Sequence, residues 1–322
     1  MPQTSFIKRH GPRLAAAALA SLVMAWTPVR AGKTIEERRS ADPQGEVEIS
    51  GVSGDIEILG WDRAEVEVSG TCDDNVERVD LTSDGKRTSI HVVSRTKGRW
   101  GSEDEAHLTV HVPAKSAVRA TLVTANLKLA GTQGDLALRT VSGNVSGEAG
   151  GNLRADTVSG NITLGAPAAK AIEVSTISGD IVLHGGGGEV NVTSVSGNAK
   201  IELATLSRGR FKSVSGDFGV GLALDPDGQV EGESVNGVIR LEFAGAPAAD
   251  FDIQSFSGKI DSCFGPAPTE SRYGPGSRLT FTNGSGHARV RVETKSGDVH
   301  LCYKGAPSGR TARVATLFPY VL

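Results

Sequence analysis

A short phrase recurs along this chain: a β-branched or aromatic residue, then Ser-Gly, then Asp or Asn. It reads Val141-Ser142-Gly143-Asn144, Val158-Ser159-Gly160-Asn161, Ile177-Ser178-Gly179-Asp180, Val195-Ser196-Gly197-Asn198 and Val214-Ser215-Gly216-Asp217. Drifted copies stand at Val235-Asn236-Gly237 and Phe256-Ser257-Gly258-Lys259, and cleaner ones at Val52-Ser53-Gly54-Asp55 and Lys295-Ser296-Gly297-Asp298. From Gly143 the glycines return after 17, 19, 18, 19, 21 and 21 residues. A fixed period near twenty marks a repeat architecture, in which each unit buries its apolar face only against its neighbours.

The alternation inside each unit predicts strands. In the unit around Gly160, residues Val158, Gly160, Ile162 and Leu164 are expected on one face and Ser159, Asn161 and Thr163 on the other. Stacking would place aliphatics over aliphatics in the interior, with the glycine facing inward at a sharp bend. Gly150-Gly151, Gly185 to Gly188 and Asp225-Pro226-Asp227-Gly228 read as further corners. The expected fold is all-β, a single-stranded β-solenoid or β-helix-like prism over 117–305. The composition agrees: 41 glycines, 38% hydrophobic, 5% aromatic and 22% charged residues suit stacked small-residue strands. They do not suit disorder or a large α/β enzyme core.

Residues 32–116 read as a smaller, N-terminal β region of antiparallel strands. Glu46-Val47-Glu48-Ile49, Asp55-Ile56-Glu57-Ile58 and Glu65-Val66-Glu67-Val68 alternate strictly. Asp84-Gly85 between Val79–Ser83 and Thr88–Val93 signals a hairpin, and residues 95–105 read as an exposed loop. Near the other end, Asn283-Gly284-Ser285-Gly286 between Arg278–Thr282 and His287–Glu293 predicts a C-terminal hairpin cap. Residues 306–322 read as a C-terminal tail.

Residues 1–31 have the form of a signal peptide: a basic start (Lys8, Arg9, His10, Arg13), an apolar run of 13 residues from Leu14 to Trp26, and Val29-Arg30-Ala31 as the cleavage site. That run is too short to span a bilayer. The expected location is the periplasm, the cell surface or beyond. Losing Lys8, Arg9, Arg13 and Arg30 leaves 30 basic against 37 acidic residues, a net charge of −7. This disfavours nucleic acid and anionic lipid as partners.

An oxidising compartment permits disulfides. Cys263 lies five residues after Gly258, and Cys302 five after Gly297. Equal offsets put both in one column of the stack. Neighbouring strands lie about 4.8 Å apart, inside the reach of a disulfide. A Cys263–Cys302 bridge is therefore expected, leaving Cys72 as a buried free thiol.

These residues resemble a bacterial family known as "putative adhesin" and as a domain of unknown function. The resemblance rests on Ser53-Gly54-Asp55-Ile56-Glu57-Ile58 with Gly60-Trp61-Asp62, the units from Gly143 through Gly258, and Ser296-Gly297-Asp298-Val299. It implies a β-solenoid in an exported or membrane-anchored protein and supplies no catalytic residues.

The candidate ligand face is the polar ladder Ser142, Asn144, Ser159, Asn161, Ser178, Asp180, Ser196, Asn198, Ser215 and Asp217. It could hold a glycan by repeated hydrogen bonds. The competing reading, which we favour, is structural: Asn and Asp beside glycine stabilise the bend by local hydrogen bonds. Asn outnumbers Asp here, which argues against Ca²⁺. His107 and His111 stand about 13 Å apart on one strand, too far to share a metal, although His91 on a partner strand could approach either one. No G-x-S-x-G elbow or Walker A loop occurs, and Asp73-Asp74 and Asp225/Asp227 lie in expected turns. No catalytic residue, cofactor or metal is therefore assigned.

The sequence thus points to an exported, non-enzymatic envelope protein with a structural or adhesin-like surface and an unidentified envelope or protein partner. Self-association through the open solenoid edges is a further expectation. The alternative is a glycan-binding module or carbohydrate-active enzyme using the Ser/Asn/Asp face.

Overall fold

The computed structural model describes residues 33–73, 76–94, 106–270 and 276–305. The expected signal peptide (1–31), Asp74, the expected loop at 95–105 and the expected tail at 306–322 lie outside the described residues. The first strands are β1 (Lys33–Ser40), β2 (Glu46–Trp61), β3 (Glu65–Cys72), β4 (Val76–Ser83), β5 (Arg87–Ser94) and β6 (Ala106–Pro113). The middle of the chain holds β7 (Ala117–Thr132), β8 (Leu136–Ser142), β9 (Val145–Ala149), β10 (Leu153–Ser159), β11 (Ile162–Gly165), β12 (Ala171–Ser178), β13 (Ile181–His184), β14 (Gly188–Ser196), β15 (Ala199–Ser215), β16 (Phe218–Asn236) and β17 (Ile239–Phe243). The last are β18 (Ala249–Ser255), β19 (Ile260–Ser262), β20 (Thr269–Glu270), β21 (Ser277–Asn283), β22 (Ala288–Ser296) and β23 (Val299–Tyr303).

Each Ser-Gly phrase joins two walls. The strand before it belongs to one wall, here wall A; the strand after it belongs to the other, wall B. On wall A, β7, β8, β10, β12, β14, the end of β15 and the end of β16 pair in parallel, one rung per repeat. On wall B, β9, β11, β13 and the starts of β15 and β16 do the same. Short returns such as Gly150-Gly151 lead back to wall A, whereas Asp225–Gly228 lies within β16, where the register against β15 shifts. The core lies between the walls: Leu153 and Ala155 from β10 meet Ile162 and Leu164 from β11, and all four are buried. Unequal sizes compensate between rungs, as where Phe211 lies in register with Gly232 and Ala199 with Phe218.

The inward face differs from expectation in one column. Wall A alternates up to Thr157, which is buried, so Val158 points outward and is 42% exposed. The repeating inward residue is the Thr or Ser before it: Thr140, Thr157, Thr176, Ser194, Ser213 and Ser234 are all buried. The bend at Ser-Gly costs the strand its phase, because two successive residues, Val158 and Ser159, face solvent.

Both ends depart from chain order. At the N-terminal end β2 is a full rung, parallel to β7 from Glu46↔Ala117 to Leu59↔Ala130. Its other side is covered by β5 on wall A and β6 on wall B, both parallel to it. The expected division at 116/117 therefore does not divide the sheet. At this end, among the described residues, antiparallel pairing is confined to β4 on β5, β3 on β6 and β1 on β3. The Asp84-Gly85 hairpin forms, with Ser83 opposite Thr88.

At the other end the last rung, β22 and β23, inserts between the β16/β17 rung and the β18/β19 rung. The expected hairpin of 278–282 with 287–293 is corrected: β21 pairs antiparallel to β18, and β22 pairs parallel to the opposite side of β18. An Asn-Gly turn specifies a reversal, but the strand it releases pairs along both edges, with β16 and with β18. Aromatic rings close this end, with Phe251 stacked on Phe281 at 4.7 Å and Phe264 edge-on to both.

Candidate functional site

The Gly corner explains itself in geometry. Gly160, Gly179 and Gly197 have φ of +156°, +148° and +132°, and a Cβ on each would lie 2.0–2.1 Å from the carbonyl oxygen of the glycine one rung earlier. Only glycine can stack at that spacing with that backbone.

The Asn/Asp ladder is used between rungs. Asn126 Oδ1 accepts the backbone N–H of Asn144, Asn144 that of Asn161, Asn161 that of Asp180, Asp180 that of Asn198, and Asn198 that of Asp217, at 2.8–3.1 Å. Asp217 continues to Val238, and Asp298 to Lys259. The expected hydrogen bonds local to each bend are replaced by bonds between rungs. One side-chain oxygen per rung caps a backbone donor that the bend turns outward. Ser159, Ser178, Ser196 and Ser215 stay exposed beside it.

The histidines stand apart. His107 contacts Asp55 at 3.1 Å, and His111 stacks on Trp61 at 4.7 Å. His91 lies on wall A, bonded to Ser50 at 2.8 Å, and so does not approach them. Among the described residues no cluster of three metal-ligating side chains occurs. Cys263 and Cys302 form the expected disulfide with Cα atoms 5.2 Å apart, and Cys72 is free and buried. Burial pushes the Cys72 thiol up, against the nearby charge of Lys33.

The outer side of wall A carries what periodicity alone did not single out. Ionic contacts run across rungs, Arg139 to Asp156, Arg154 to Glu173, Arg208 to Glu189, Arg210 to Glu231 and Lys212 to Glu233, and Arg154 also holds Asp156 on its own rung. A hollow of about 540 Å³ opens there, edged by Asn152, Arg154, Glu173, Asn191, Arg208 and Arg210. Asn191 Oδ1 is buried without a hydrogen-bond partner. These residues sit at equal register in successive strands, which a column-by-column reading of the repeats would have found.

Asp156 is the most enclosed of these acids. Burial pushes its carboxyl up, but the Ser175 hydroxyl and the Arg154 and Arg139 guanidinium groups outweigh it and hold the carboxyl below its ordinary range. A depressed folded-state pKa contributes stability above the unfolded value, near 4, and loses it as pH falls through the folded value. Asp156→Asn is therefore expected to flatten the stability profile below about pH 4. Urea midpoints of both proteins across that range check it; parallel profiles contradict it.

Parallel rungs, a glycine corner, an inter-rung Asn/Asp ladder and doubled-back ends define a capped β-solenoid repeat protein. The chain belongs to the Toastrack DUF4097 family, whose profile matches residues 45–302. Among curated proteins none matches closely enough to count as a relative. Solved structures resemble it at low identity. A "putative adhesin" from Bacteroides fragilis is 11% identical over 84% of this chain and 97% of its own, with a TM-score of 0.46. Another from Parabacteroides distasonis is 14% identical over 84% and 97%, at 0.39. A "putative lipid binding protein" from the same species is 13% identical over 83% and 98%, at 0.32. At that identity none of them transfers a ligand or an activity to this chain. No helix among the described residues is long and apolar enough to cross a membrane.

Proposed function

We propose that the mature chain is an exported, non-enzymatic protein of the cell envelope, working as an adhesin-like interaction surface. Wall A is its binding face. The observation that carries this reading is the hollow on wall A, where donors and acceptors from several consecutive rungs converge on a stiff support. Arg154 and Arg210 are held in place by carboxylates on neighbouring rungs, so little side-chain freedom is lost on binding.

The glycan reading is retained in altered form. The Asn and Asp oxygens already hold backbone donors, so a glycan on the Ser142, Ser159, Ser178, Ser196 and Ser215 column would meet mainly hydroxyls and amide N–H groups. The hollow offers more, with the Arg154, Arg208 and Arg210 guanidinium groups and the Asn152 and Asn191 side chains along its edge. The test is reciprocal capture from the native envelope, together with a glycan array, using the mature chain and the Asn191→Ala and Arg208→Ser variants. A saturable partner or glycan bound at least tenfold more weakly by the variants supports the proposal. Binding unchanged in both variants, or turnover of an envelope polysaccharide, overturns it.

A further inference from the structure

Every large hydrophobic side chain that is exposed among the described residues lies in one column. Val123, Val141, Val158, Ile177, Val195, Val214 and Val235 are 41–51% exposed, and Phe256 is 78% exposed. The registers place the first seven on seven consecutive rungs of wall A. Scattered exposed valines need no explanation, but an unbroken stripe does. Lys295 follows Val235 on the inserted rung and ends the stripe, with Phe256 beyond it.

We propose that this stripe is the contact between two copies of the chain, set face to face and antiparallel about a two-fold axis at Ile177. The first argument is spacing. The column presents one small β-branched knob per rung, about 4.8 Å apart. A docked helix repeats about every 5.4 Å, so over seven rungs it slips by nearly one rung. A docked strand repeats one face about every 6.8 Å and misses sooner. Only a second ladder keeps step along the full length, with knobs interdigitating as in a dry zipper.

The second argument is charge. The column on one side of the stripe is the neutral Ser142, Ser159, Ser178, Ser196 and Ser215 series. On the other side Arg139, Asp156, Lys212 and Glu233 are neutralised within the wall. An antiparallel pair sets Val123 against Val235 and Lys295 against the β2 rung of the other copy, whereas a parallel pair would set Lys295 against itself. The third argument is size: the stripe with its two flanking columns comes to about two dozen residues, within the 20–30 a side of a standard interface.

The solenoid edges do not offer the same contact. β1 carries Glu36, Glu37, Arg38 and Arg39, β4 carries Glu77, Arg78 and Asp80, β19 is three residues long, and β21 is open only over 279–283 beyond the cover of β20. Charge and shortness both blunt edge pairing. The self-association expected at the edges therefore moves to wall A.

Sedimentation equilibrium on the mature chain at micromolar concentration tests this. The expected result is a dimer whose dissociation constant rises at least tenfold in Ile177→Lys and in the isosteric set Val158→Thr, Ile177→Thr and Val195→Thr, with an unchanged melting temperature in the Thr set. Ile177→Cys is expected to cross-link two copies, and Val123→Cys is not. A monomeric wild type, a dimer indifferent to the Thr set, or equal cross-linking at both positions overturns the proposal.

Discussion

Gly179→Ala is expected to cost the folded chain about 3–5 kcal/mol, while Ser178→Ala beside it costs within about 0.5 kcal/mol. At φ +148° an alanine is strained by about 1–3 kcal/mol, and its Cβ would stand 2.1 Å from Gly160 O. That atom is backbone, so no side chain can swing away. Relief requires the two rungs to part, which weakens the Gly160 N–H to Ser178 and Ile162 N–H to Asp180 bonds, each worth about 1 kcal/mol. Against a typical total of about 5–15 kcal/mol the change is severe, and in a stack it interrupts coupling between the two halves. Urea unfolding of both variants measures it. A Gly179→Ala protein within about 1 kcal/mol of wild type would mean that the glycine ladder does not set the stack.

The second large effect is expected from the double variant Cys263→Ser, Cys302→Ser. The bridge spans 39 residues, and chain-entropy arguments assign such a loop about 4 kcal/mol. Its position raises the consequence. β19 meets β23 over only Ile260↔Val299, Asp261↔His300 and Ser262↔Leu301, and the disulfide extends that short register by one more pair. It also ties the inserted rung to the rung that it separates from β17. Reductant on the wild type and the double variant should lower the urea midpoint alike, with hydrogen-exchange protection lost first across β18 to β23. Free thiols at both positions in protein made under oxidising conditions, or an unmoved midpoint, would refute this account.

Much of the fold is written locally. The Gly period marks the rungs, Asp84-Gly85 marks the β4–β5 hairpin, and the equal offsets of Cys263 and Cys302 mark their bridge. The candidate site was less legible. Simple alternation turned Val158 and its equivalents inward, because period two cannot report the phase lost at a bend. The Ser-Gly-Asn phrase offered a ligand face beside the favoured structural reading, and its Asn oxygens are occupied by the next rung. The hollow on wall A has no motif, since Asn152, Arg154, Asn191 and Arg208 come together only once the rungs are in register.

By itself the sequence determined that strands stack at one rung per Ser-Gly, because only glycine tolerates that corner and only aliphatic alternation fills that interior. Tertiary structure alone decided the order of the stack. The Gly297 rung lies between those of Gly237 and Gly258, and the β5/β6 rung lies outside β2. The physical reason is that rungs are nearly interchangeable in their own residues. Their order is set by what covers the two open ends, a property of the whole stack and of no single repeat.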